Sequence, residues 1–335
     1  MIILGIESSC DETAAAVVTD GTRILSSIVA SQVDVHRPYG GVVPELASRR
    51  HIDAVVPVVG RALSEADLEA SQLDAVTVTQ GPGLVGALLV GFSFAKAYAY
   101  ALGKPWVGVN HLAGHIHSLF LSPDPPPFPF VTLLASGGHT SLYYVTSHLT
   151  AELMGQTRDD AAGEAFDKVA KLLRLGYPGG GIIGQVARKG TPGKITFPRS
   201  YLNPHQFDFS FSGLKSAVRR YVDDHAPSIA KDIPDIAAEF QEAVVDVLTS
   251  KLIAAAKFKK CTRVALVGGV AANQRLREQL TIKATAAGLT VVIPPINLCG
   301  DNAAMIAAAG YHSLQAGKTG KLTDDVYSRK DLRSR

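Results

Sequence analysis

Apolar residues fall in short runs separated by polar turns. Ile2 to Ile6 reads as a buried strand, Ala14 to Val18 as a second and Ile24 to Ala30 as a third, with the polar turn Glu7 to Thr13 between the first two. Strand, tight turn, strand is a hairpin signature. From Pro44 to Val59 the spacing becomes helical, with Leu46, Ile52, Val55, Val56 and Val59 apolar and Arg49, Arg50 and Asp53 polar. Ala75 to Thr79 is a buried strand. Gly81-Pro82-Gly83 then turns the chain into a small-residue helix from about Leu84 to Leu102. Trp106 to Val109 is a strand, and Asn110 is placed to cap a helix that carries His111.

The run Ser122-Pro123-Asp124-Pro125-Pro126-Pro127 cannot continue a helix and marks a boundary between two lobes. Beyond it the opening plan returns. Phe130 to Ala135 is apolar, Ser136 to Thr140 turns, and Ser141 to Val145 is apolar again. Two strand-turn-strand units at the heads of two halves amount to an internal duplication of pattern. Arg263 to Val267 predicts a strand, Gln274 to Ala287 a helix, Val291 to Ile293 a strand ended by Pro294-Pro295, and Ala303 to about Leu314 an Ala-rich helix.

Composition narrows the class. With 335 residues the chain suits two lobes, and 47% hydrophobic against 19% charged residues predicts a packed protein rather than disorder. A net charge of +3 leaves any nucleic-acid contact to local patches such as Arg49-Arg50, Lys215 with Arg219-Arg220, Lys257 with Lys259-Lys260, and the basic tail from Lys318. Cys10, Cys261 and Cys299 form no CxxC pair, which fits a reducing cytoplasm. The opening MIILGIESSCDE has no signal-peptide pattern, and no membrane association is expected.

Two constellations carry chemistry. His111 and His115, four apart on a helix, put two imidazoles on one face, where a d-block cation fits between them. Taken alone, such a pair is more often structural. Leu112 stands where a zincin peptidase needs its glutamate base, which argues against peptidase chemistry. Asp301 opens a helix after a glycine, as a plain N-cap or as a third metal ligand. The second constellation is a set of small-residue turns at Ser8-Ser9 with Thr13, Ser136-Gly137-Gly138, Gly179-Gly180-Gly181 and Gly268-Gly269, suited to a nucleotide in a cleft between the lobes. Asp159, Asp160, Glu164 and Asp167 form either a solvated acidic helix face or, for Asp167, a ribose contact.

GIESSCDET, NHLAGHIHS, LASGGHTSL, DDAAGEAFDKVAKLL, GYPGGG, FSFSGLKSAVRR, GGVAANQRLR and CGDNAAMIA follow in order from Gly5 to about Ala307. Together they resemble the tRNA adenosine threonylcarbamoyltransferase family (TsaD, bacterial type). The resemblance implies an α/β fold of two ribonuclease-H-like lobes, as in the actin, sugar-kinase and chaperone ATPase superfamily, with an inter-lobe nucleotide cleft. The first lobe would span 1–121, completed by the C-terminal helix and tail from about 303, and the second 122–302. It implies transfer of threonylcarbamoyl from threonylcarbamoyl-adenylate to the exocyclic amine of the adenosine 3′ of the anticodon, with release of AMP. One Fe²⁺ or Zn²⁺ would sit on His111, His115 and Asp301. Ser9, Leu134, Ala135, Ser136, Gly137, Gly138, Asp167, Gly180 and Asn273 would contact the donor, and Asp11 and Glu12 would lie near the transferred group as catalytic carboxylates. Partners would be tRNA, a non-catalytic paralogue of the same fold (TsaB-like) and a P-loop ATPase (TsaE-like), without which the chain is expected to be weak or inactive. Two positions depart from the pattern of relatives. Gly184 stands where many hold ribose with Asp or Ser, and Leu134 replaces the metal-binding Tyr of archaeal and eukaryotic members. Rival readings are a small-molecule kinase of the same superfamily and a non-catalytic nucleotide-binding scaffold.

Overall fold

Two five-stranded sheets organise the chain in the computed structural model, which describes residues 1–200, 206–226 and 229–329. The first sheet is built from β1 (Ile2–Glu7), β2 (Glu12–Thr19) and β3 (Arg23–Ser31), an antiparallel meander. The short α1 (Val33–His36) and the long α2 (Pro44–Glu65) follow, then β4 (Ala75–Gly81), α3 (Val85–Leu102), β5 (Trp106–Asn110) and α4 (His111–His117). β4 and β5 add in parallel, giving the order β3-β2-β1-β4-β5.

The second sheet repeats this plan. β6 (Phe130–Ala135), β7 (Thr140–Ser147) and β8 (Thr150–Gln156) come first, then four helices: α5 (Ala162–Leu172), α6 (Gly179–Ala187), α7 (Ser212–Asp224) and α8 (Ile229–Phe258). β9 (Arg263–Val267), α9 (Gln274–Ala286), β10 (Thr290–Val292) and α10 (Ala303–Gln315) follow. The order β8-β7-β6-β9-β10 is that of the first sheet, so the duplication read from two turns extends to the topology of both halves.

By contacts, one unit gathers Met1–Pro126, Ser147–Ala151 and the chain from Pro294 onward; the other gathers Pro127–Thr146 and Glu152–Ile293. Three stretches assigned from sequence to the second lobe, 122–126, 147–151 and 294–302, therefore group with the first unit. The reason for the last is visible at Pro294-Pro295, which end the strand pairing after β10.

In the first unit the two-residue period of the strands sorts the core. Leu4, Ile6, Val17, Val76 and Val78 pack with Val55 and Val59 of α2 and Phe92 and Ala95 of α3. Ile3, Ala14, Ala16 and Val18 pack with Ala303, Ala304 and Ala307 of α10. Covered on both faces, these strands read as unbroken apolar runs. α3 is long and apolar enough to cross a membrane by length and composition. Here its inner stripe joins the core, and its Lys96 ammonium donates to the carbonyls of Leu322 and Asp324, fastening the described part of the basic tail. The tail residues 330–335 lie outside the described residues.

Two expectations are corrected in the second unit. Gly179–Gly181 is the first turn of α6, not a loop; packing of Ile183 and Ala187 overrides the poor helix propensity of glycine. The acidic run from Asp159 is a set of clamps, not a solvated face. Asp159 accepts hydrogen bonds from the backbone N–H of Phe211 and Ser212 at the start of α7, and Asp160 pairs with Lys168 and Lys215.

Candidate active site

Asn110 ends β5 and caps α4, its Oδ1 accepting from the N–H of Leu112 and Ala113 at 2.9 and 3.3 Å. The cap fixes where the helix starts and hence where His111 points. One turn later His115 lies on the same face, its ring centroid 4.7 Å from that of His111. Leu112 is buried in the core and offers no base.

Asp301 is not the cap of α10. That role belongs to Asn302, whose Oδ1 accepts from Met305 N–H at 2.9 Å, which leaves the Asp301 carboxylate to face the histidines. Oδ1 of Asp301 lies 3.2 Å from Nε2 of His115 and 3.6 Å from Nε2 of His111. The close seating of α10 on β1 depends on Gly5: a Cβ there would stand 2.3 Å from the Ala303 carbonyl oxygen. The three ligand atoms lie within 4.8 Å of one another.

Sequence reasoning missed Glu7. Its side chain is fully buried, and a carboxylate so placed must be paired. It accepts from Ser9 N–H at 2.5 Å, Thr79 Oγ1 at 2.6 Å and His111 Nδ1 at 3.0 Å. The one signal in the sequence is a charged residue closing an otherwise apolar strand. Burial opposes charge on both partners. The carboxylates of Asp301 and Glu7 still carry His111 up to about 9, and His111 holds Glu7 below the usual carboxylate range. With Nδ1 committed to Glu7, His111 presents Nε2 toward Asp301, the arrangement by which a carboxylate orients a metal-ligating imidazole. Nδ1 of His115 is buried without a hydrogen-bond partner, and its buried Nε2 faces the Asp301 carboxylate at 3.2 Å without forming a well-aligned hydrogen bond. Two imidazoles and one carboxylate, with orphaned nitrogen between them, fit a divalent d-block cation that displaces the His111 proton.

The first turn is more internal than expected. Ser8 donates its hydroxyl to the Ala87 carbonyl and Thr13 is bonded to His51, so neither hydroxyl is aimed at a ligand. Ser9 Oγ lies 3.2 Å from His111 Nδ1, beside the cluster of His111, His115 and Asp301. Glu12 takes a hydrogen bond from Ser31 at 2.9 Å through one oxygen, while the other is buried and unpartnered. Burial lifts this carboxyl to about 7. The neighbouring Asp11 is half-buried.

In the second unit a cavity of about 310 Å³ is lined by Gly137, Phe166, Asp167, Gly180, Gly181 and Asn273, among others. Leu134 and Ala135 are buried within β6, so only their backbone is available to a ligand. Ser136 closes the turn, its N–H donating to the His139 carbonyl and its Oγ accepting from His139 N–H. A Cβ at Gly137, Gly138 or Gly180 would meet open space. Asp167 accepts from Gly179 N–H at 2.7 Å, which anchors the start of α6. Asn273 caps α9 through Leu276 N–H and donates to Gln241, beside Gly184. The cavity thus combines a glycine floor, a helix start and an apolar wall from Phe166 and Val270, the makings of a nucleotide site.

A family model for tRNA N6-adenosine threonylcarbamoyltransferase (TsaD) matches residues 23–308. The curated tRNA N6-adenosine threonylcarbamoyltransferase of Desulforapulum autotrophicum is 60% identical over 329 residues, covering 98% of this chain and 99% of that protein. Its counterpart from Moorella thermoacetica is 55% identical over 312 residues, covering 92% and 91%. Among solved structures, full-length HypF in its phosphate- and nucleotide-bound form superimposes with a TM-score of 0.63 at 13% identity, over 94% of this chain and 46% of that one. That last likeness is one of fold.

Proposed function

The chain belongs to the tRNA N6-adenosine threonylcarbamoyltransferase family, and from that premise we propose that it transfers a threonylcarbamoyl group from threonylcarbamoyl-adenylate to the N6 amine of the adenosine 3′ of the anticodon, in tRNAs reading codons that begin with A. It is an enzyme of tRNA modification.

The observation that carries the catalytic reading is the convergence of His111, His115 and Asp301. These residues would hold one Fe²⁺ or Zn²⁺. When bound, such an ion supplies Lewis acidity toward the carbamoyl oxygen or orients the threonyl carboxylate. Glu7 keeps His111 in the ligating tautomer, and Ser9 packs beside it. In the transfer itself the adenine nitrogen bonds to the carbamoyl carbon, the bond from that carbon to the adenylate phosphate oxygen breaks, and AMP leaves. The nitrogen must then lose a proton. Glu12 suits that task, since a carboxyl raised to about 7 exchanges protons near neutrality; Asp11 is the alternative. In the second-unit cavity, N–H groups of Gly137, Gly138 and Gly180 would donate to the adenylate phosphate, and Asp167 and Asn273 would border the nucleoside. Arg49, Lys215, Arg219 and Lys259 already sit in ion pairs, so a tRNA phosphate would have to compete for them. Full turnover would need the non-catalytic paralogue and the P-loop ATPase, and a tRNA substrate points to work in the cytoplasm.

The test is mass analysis of anticodon-loop nucleosides after incubation of the metal-loaded chain with donor, tRNA and those accessory proteins. Threonylcarbamoyladenosine should form at that adenosine. Unmodified tRNA throughout would refute the reading.

A further inference from the structure

The geometry points to a second metal site, built from His117, His148 and His312, that takes a d-block divalent cation such as Zn²⁺ independently of the His111–His115–Asp301 trio. The three side chains come from the end of α4, the turn after β7 and the last turns of α10, and all belong to the first unit. Their candidate donor nitrogens lie within 4.8 Å of one another.

The chemistry of each ring supports ligation. His117 Nδ1 is engaged with the Ala113 carbonyl at 2.8 Å, which only an N–H at that nitrogen can satisfy. In the neutral ring Nε2 then carries the lone pair; it is buried, makes no well-formed hydrogen bond, and borders the backbone of His148. Nε2 of His312 is likewise buried and unpartnered. Ordinary core histidines would relieve this by an N–H···N bond between them, because an unsatisfied buried polar atom costs about 1–3 kcal/mol. No such bond joins these two nitrogens. His148 stacks on His312 with centroids 3.5 Å apart and planes within 8°, so its ring edge borders the same point. Backbone-oriented imidazole with its second nitrogen directed at a shared locus is how proteins prepare a histidine ligand.

Three imidazoles without a carboxylate select zinc, copper or nickel over magnesium and calcium, and leave one position for water. Tetrahedral ligation draws donor nitrogens to roughly 3.3 Å. The site therefore closes by opening the His148–His312 stack, which turns about the side-chain bonds of two half-buried residues allow. A cation here would brace α4 and α10, the helices that carry His111 and His115 and that follow Asp301. Its role is structural.

The inference is tested by metal stoichiometry. The full chain is stripped with chelator, dialysed against ZnCl₂ and assayed for bound zinc, with Co²⁺ d–d absorption as an independent reading of ligand set. Two equivalents are expected for the wild type, one for His312→Phe, one for Asp301→Ala and none for the double variant. His148→Gln, at a surface turn, should also lose one equivalent and guards against misfolding of the helix variant. Zinc content unchanged by both His312→Phe and His148→Gln overturns the inference. Loss of zinc on those two substitutions, with Asp301→Ala neutral, upholds this site and removes the metal from the catalytic proposal.

Discussion

Glu7 accepts a hydrogen bond from Nδ1 of His111 at 3.0 Å, joining the end of the first strand to the start of the helix that bears both candidate metal histidines. The carboxylate touches no ligand position itself. It acts by holding one imidazole with the correct nitrogen outward. Glu7→Gln keeps the shape and removes the charge. Metal affinity measured by chelator competition should fall about 10–100-fold; unchanged affinity would show that His111 needs no such support.

The cap on α4 is a second lever. Asn110→Ala removes the acceptor for two N–H groups and should cost about 1 kcal/mol in urea unfolding. The same change loosens the first turn, where His111 sits, so metal affinity should drop with stability. A stable variant of wild-type affinity would contradict this account of the helix start.

Glu12 predicts a pH dependence whose sign is unusual for a carboxylate. The folded protein holds its proton up to about pH 7, whereas the unfolded chain releases it near 4.5. Stability from this group is complete below the lower value and is lost as pH rises through the upper one, by up to about 3 kcal/mol. Metal-free wild type should therefore lose stability between pH 5 and pH 8 more steeply than Glu12→Gln does. Parallel urea midpoints for the two proteins across that range would rule out the raised pKa.

Gly268 tests the turn that supports the second-unit cavity. It has φ of +92°, and a Cβ would stand 2.4 Å from the Ala135 carbonyl oxygen. Gly268→Ala should destabilise the protein by at least about 2 kcal/mol and weaken adenylate binding together with it. Calorimetry showing normal binding and stability would contradict the role given to this close approach.

The parts of the site legible in the sequence are those set by local rules. The four-residue spacing of His111 and His115 needs only helix periodicity, and Asn110 announces the cap. The repeated strand-turn-strand pattern anticipates the matching sheets. Asp301 is different. Its local context suggests a cap, and only the presence of Asn302 one residue later, together with the seating of α10 against Gly5, turns its carboxylate to the histidines. Glu7 and the group formed by His117, His148 and His312 are invisible for the same reason: each is assembled by tertiary packing from residues distant along the chain. α6 escaped because its first turn is glycine, which local propensity reads as loop.

The most direct test of the catalytic account is the transfer rate and metal content of Asp301→Ala beside wild type, with the same tRNA, donor and accessory proteins and with folding checked by circular dichroism. The account predicts a folded variant that has lost the ion held by the trio and at least about a hundredfold in transfer rate, a loss of nearly 3 kcal/mol in transition-state stabilisation. A folded variant with wild-type metal content and rate would contradict it.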